Sequence, residues 1–174
     1  MLTLVGTAVV VLDALAAGAS LTVQLALGAL VGIAAAIVMG VPMWRQDEGF
    51  TPAYIAASVL RKSRPDEVSF VDANVVHYLA GAMAGVLYAF VFLTSDMLFP
   101  DLPLFGVDAI PHLVATLFVM VWIYLLFAHF VLPRAGRSIY EERATAVRGQ
   151  WLRSSLVFGV TMFVLAPAVF AGVA

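Results

Sequence analysis

Four apolar runs, each over twenty residues long and holding at most one charged residue, constrain this chain more than any other feature. They lie at residues 20–43, 73–95, 110–132 and 152–172. At about 1.5 Å of rise per residue, a helix of that length crosses a hydrocarbon core about 30 Å thick. A helix also satisfies its own backbone hydrogen bonds, which lipid cannot do. The runs therefore predict an all-α integral membrane protein, a bundle of four transmembrane helices in a single domain. Pro167 lacks an amide proton, so it should leave the carbonyl of Phe163 free and kink the last span.

A fifth apolar segment precedes them. Residues 2–17 are apolar apart from Asp13, and their length falls just below the usual spanning range of about 17–25. Fused to the next run they would exceed the thickness of a membrane. Gly18-Ala19-Ser20 favours a break, since glycine and serine both tend to leave a helix. The reading is a fifth N-terminal helix joined by a tight turn; the alternative is a partly embedded or projecting arm. A cleaved leader fits less well, because the segment has no basic start and Asp13 interrupts it.

Composition agrees. Hydrophobic residues make up 63% and charged residues 11%, against roughly 25% charged in soluble domains. No basic stretch suggests nucleic acid, so the expected partner is the lipid bilayer, with a homo-oligomer or a membrane complex beyond it. Without cysteine there is no disulfide, thiolate zinc site or Cys nucleophile. Arginine far outnumbers lysine, which hints at a GC-rich prokaryotic genome and hence a prokaryotic plasma membrane.

The basic residues set an orientation. Arg45, Arg61, Lys62 and Arg64 fall in residues 44–72, and Arg134, Arg137, Arg143 and Arg148 in residues 133–151, with Arg153 just beyond. The loop at residues 96–109 has Asp96, Asp101 and Asp108 and no basic residue. Positive residues stay inside, so both basic segments are cytoplasmic, the acidic loop faces out, and the C-terminus ends outside. Trp44 and Trp151 flank the basic segments as interfacial anchors would. Thr51-Pro52 reads as a helix start, with Thr51 as the cap. Residues 53–62 and 138–150 both suit short helices on the membrane surface.

Helices in lipid associate through close backbone approach at small residues. Ser20, Gln24, Gly28, Gly32, Ala36 and Gly40 recur every fourth position, and Gly81 and Gly85 form a second such face. These faces are expected to pack against each other within one chain, with self-association as the alternative. Gln24 reads as an interhelical hydrogen-bond donor. Phe118, Trp122, Tyr124 and Phe127 make the third span bulky.

Ionisable groups inside a membrane are costly enough to be functional candidates. His77 and His129 lie near the cytoplasmic ends of antiparallel spans, and two facing histidines can ligate a b-type haem or contribute to a metal site. Histidines near helix ends also reach interfacial water or a neighbouring carbonyl. Asp96, Asp101, Asp108 and His112 form an outer set with divalent-cation chemistry, though carboxylates in a loop more often serve solvation. Asp13 is a proton or cation candidate if buried. The chain has no GxSxG, P-loop, HExxH or dinucleotide glycine motif, which argues against catalysis.

Three stretches resemble a known group. Val38-Met39-Gly40-Val41-Pro42-Met43 closes the first span, Pro52-Ala53-Tyr54-Ile55-Ala56 follows, and His77-Tyr78-Leu79-Ala80-Gly81 leads to Gly85-Val86-Leu87-Tyr88-Ala89. Together, over the first half of the chain, they resemble the uncharacterised YagU-like four-helix membrane proteins. The last span here has no histidine, where a closer relative would carry one. The resemblance implies an architecture and no mechanism. The sequence thus favours a non-catalytic accessory, structural or small transport-related protein. The alternatives are a redox or metal-binding subunit using His77 and His129, or an ion- or proton-conducting oligomer.

Overall fold

In the computed structural model, residues 2–100, 102–104 and 107–170 are described, with side chains described from residue 20 onward. The chain opens with a long helix, α1 (Leu2–Arg45), followed by a short one, α2 (Thr51–Arg61), and a single 3-10 turn at Pro65–Glu67. Helix α3 (Phe70–Asp96) then runs to a two-residue hairpin, β1 (Pro103–Leu104) with β2 (Val107–Asp108), paired antiparallel. Helix α4 (Ala109–Leu125) passes through a π-helical turn (Leu126–Val131) into α5 (Leu132–Ala135), and α6 (Ser138–Phe170) is the last described element. Among the described residues, four stretches are long and apolar enough to cross a membrane: Ser20–Arg45, Phe70–Asp96, Ala109–Ala135 and Ser138–Phe170.

Two expected breaks are not there. The backbone of α1 is helical through Gly18, Ala19 and Ser20, so no tight turn separates residues 2–17 from the next run. Breaking a helix forfeits several backbone hydrogen bonds, while one glycine in it costs only about 1 kcal/mol. Similarly, residues 138–150 form the first turns of α6 and not a separate surface helix. The side chain of Asp13 lies outside the described residues.

Capping chemistry explains several ends. The Ser69 hydroxyl accepts from the Asp72 amide at 3.1 Å and starts α3. Thr51 is not the cap of α2; it is the first helical residue, and its hydroxyl donates to Glu48 at 2.7 Å. Lys62 closes α2 in the left-handed region at φ 54°, which lets the Ser63 amide reach the Ser58 carbonyl at 3.0 Å.

The long helices pack as a ring, α1 against α3 and α6, and α4 against the same two. Small residues decide the first contact. A Cβ added to Gly28 would meet the Gly85 carbonyl oxygen at 2.5 Å, and one on Gly32 would overlap the Gly81 carbonyl oxygen. A Cβ on Gly81 would meet that of Ala36 at 2.5 Å. Gly40 lies beyond this close approach, with only ordinary contacts to the Trp44 ring. Gln24 is half-buried with no hydrogen-bond partner among the described residues, so the expected interhelical bond is not made. Between α4 and α6, Gly159 sits against Met120, whose sulfur would lie 2.7 Å from an added Cβ.

The interior is made of small and flexible side chains: Ala35, Ala36, Met39, Ala84, Ala115 and Met162 are all nearly or fully buried. The larger aliphatics and rings point outward, with Leu30, Leu79, Met83, Phe90, Val160 and Val164 at 56–74% exposure. Trp44 is exposed, whereas Trp151 turns inward and donates to the Ile123 carbonyl at 3.2 Å.

Candidate functional site

The basic residues all belong to one end of the bundle, and that end holds the main polar constructions. Glu48, in the turn after α1, is the hub. Its carboxylate accepts from Arg143 of α6 and from Thr51, and its amide donates to Gln150 at 2.7 Å. Arg61 pairs with Asp72, tying α2 to the start of α3.

The π turn belongs to the same end. Pro133 lacks an amide proton and would crowd the carbonyl four residues earlier, and a wider turn before it relieves both problems. The freed or tilted carbonyls find side-chain donors. Arg148 Nε reaches the Ala128 carbonyl at 3.1 Å and Arg134 the Phe130 carbonyl at 3.0 Å.

His77, one helical step before Gly81, continues the close contact of α1 with α3. Its Nε2 lies 2.9 Å from the Ala36 carbonyl oxygen, and the residue is 7% exposed. A carbonyl only accepts, so Nε2 carries the proton. His129 is on the outer side of the π turn, exposed and edge-on to Tyr124. It does not border the cavity described below, whereas His77 does.

The outer histidine is placed differently from its sequence context. His112 is buried, with its Nδ1 2.7 Å from the Tyr88 hydroxyl and its Nε2 3.0 Å from the Phe163 carbonyl oxygen. Nε2 must be the donor to that carbonyl, so Nδ1 accepts from Tyr88. Phe163 carries the carbonyl that Pro167 leaves without its helical partner, and His112 fills the gap. Both ring nitrogens are thus occupied by protein. Asp108 accepts from the Leu102 amide at 3.0 Å and pins the hairpin, and Asp101 lies outside the described residues. Among the described residues no three histidines or carboxylates gather as a metal site would require.

Between α3 and α4, at the basic end, lies a cavity of about 430 Å³. Ala80 and Met83 of α3, Trp122 of α4 and Leu126 of the π turn, all exposed, form its mouth. Pro52 and Ala53 of α2 border it, as do Trp151 and Phe158 of α6. No acidic or basic side chain lines it, apart from the imidazole of His77. No protein-family model, curated protein or solved structure matches the chain.

The sequence pointed to His77 but not to this cavity, because its walls are scattered apolar residues from six elements. The Tyr88–His112–Phe163 chain was half legible: Pro167 marks the orphaned carbonyl, but nothing local marks a donor fifty-one positions away. Glu48 carried no signal at all, being one acid in an ordinary polar turn.

Proposed function

We propose that this is a multi-pass protein of a prokaryotic plasma membrane, with the basic end in the cytoplasm and no catalytic chemistry of its own. Its role is that of an accessory or structural bundle within the membrane. One observation carries the reading: large apolar side chains face outward while the interior is alanine, glycine, methionine and hydrogen-bonded polar groups. Water-soluble monomers rarely expose continuous apolar patches beyond a few hundred Å². In lipid the same surface costs nothing, and small residues inside permit the close packing that holds helices together. The orientation follows the distribution of arginine and lysine. The YagU-like resemblance supports the same architecture.

The buried histidines favour a structural role over a redox one. His112 has both nitrogens engaged, His77 has one, and His129 is on a different face from the cavity His77 borders. The test is an absorption spectrum of the purified protein, oxidised and then reduced with dithionite, alongside metal analysis. The expected protein is colourless and metal-free. A Soret band that shifts on reduction and disappears in His77→Ala would replace this reading with that of a b-type cytochrome subunit.

A further inference from the structure

We infer that the cavity between α3 and α4 binds an uncharged, chain-like apolar molecule bearing a hydroxyl group, such as a long-chain alcohol, with His77 accepting the hydroxyl hydrogen bond. This goes beyond an accessory role, and it rests on membrane residence only for the route of entry.

The argument begins with what the walls can recognise. Their apolar surface takes a hydrocarbon body, and a volume of about 430 Å³ falls within the roughly 300–1,000 Å³ range of small-molecule pockets. The mouth is lateral, between Met83 and Trp122, both exposed on the outward faces of α3 and α4. A ligand dissolved in the bilayer enters from the side without crossing water. The absence of any arginine or lysine from the lining leaves a carboxylate or phosphate headgroup without a partner, and burying an unpaired charge is prohibitive.

The polar contact comes from His77. Nε2 is spent on Ala36, so in a ring with one proton Nδ1 is a bare acceptor. Nδ1 has no partner among the described residues and is not one of their sealed, unpartnered atoms, and His77 borders the cavity. The other polar side-chain groups in the lining are two indole N–H groups: Trp151 gives its proton to Ile123, and Trp122 stands at the mouth, away from His77 along the cavity. At His77 an acceptor selects a donor, and a hydroxyl on an uncharged chain supplies one where an ester or ketone does not.

Trp122 and Trp151 both border the cavity and report on its contents. The full chain in detergent micelles would be titrated with three brominated C18 probes at pH 9: 9,10-dibromooctadecan-1-ol, 9,10-dibromostearic acid and its methyl ester. The expected result is saturable quenching by the alcohol, about tenfold tighter than by the ester, as one hydrogen bond supplies. His77→Phe should lower the alcohol to the level of the ester. Ala80→Phe, which fills the mouth from an exposed position, should abolish saturable quenching by all three probes. Equal affinity for alcohol and ester overturns the proposal on the native chain, even if His77→Phe fails to fold. Tighter binding of the acid overturns it as well, and so does saturable alcohol quenching that survives in Ala80→Phe.

Discussion

At the scale of single residues, the most informative arrangement is a proline answered by a histidine. Pro167 deprives the Phe163 carbonyl of its helical donor, and His112 supplies one from α4 at 3.0 Å. A buried carbonyl left unmatched costs about 1–3 kcal/mol, so the two residues should be energetically coupled. Removing the histidine with His112→Leu orphans both the Phe163 carbonyl and the Tyr88 hydroxyl. In a Pro167→Ala background the amide at position 167 can serve Phe163, and only the Tyr88 loss remains. The penalty for His112→Leu should therefore be smaller by about 1 kcal/mol in that background. Equilibrium unfolding of the four proteins of this cycle in mixed micelles measures the difference; equal penalties would mean that His112 does not compensate for Pro167. His77 differs, since the Ala36 carbonyl lies inside α1, where a helical amide already serves it. Its loss should cost less stability than that of His112.

At the scale of elements, the same glycine-to-alanine change should have opposite signs at different helix positions. In α3, a Cβ on Gly85 would overlap the Gly28 carbonyl of α1, and the backbones can only separate. In α6, Gly149 has nothing within 4 Å of an added Cβ. Gly85→Ala should therefore destabilise by about 1–3 kcal/mol, the range for overpacking. Gly149→Ala should gain up to about 1 kcal/mol from helix propensity alone. Thermal melting in one detergent decides this, and two changes of the same sign would sink the assignment of α1 and α3 as the close pair. These contacts were legible because small residues at every fourth position on two consecutive runs leave a pattern. Gly159, an isolated glycine, leaves none, and its fit to Met120 emerges only from the packing. The π turn was also illegible beforehand. Pro133 announces an interruption, but whether a helix answers by ending or by widening depends on donors such as Arg148 being in place. The continuity of α1 through Gly18 shows the converse: local preferences for a break are small beside the hydrogen bonds a continuous helix keeps.

At the scale of the whole molecule, orientation is the property on which the other readings depend. The arginines and the lysine form no continuous patch in the sequence, yet the fold collects them at one end. Several do structural work there: Arg143 binds Glu48, Arg61 binds Asp72, and Arg148 and Arg134 serve backbone carbonyls. The opposite end has the hairpin and Asp108, with no basic side chain among the described residues. A membrane that retains positive residues on its inner side has one way to accept such a molecule. The chain contains no cysteine, so single thiols can be introduced without a background. Ser63→Cys, after α2, and Leu102→Cys, beside the hairpin, place thiols at the two ends. In intact cells a membrane-impermeant maleimide should label the Leu102 position and leave the Ser63 position unmodified until the membrane is opened. Labelling of only the Ser63 position in intact cells would invert the orientation and turn Glu48 and its partners outward. Labelling of both would mean that the ends do not lie on opposite sides, and the four-span reading would fail with the orientation.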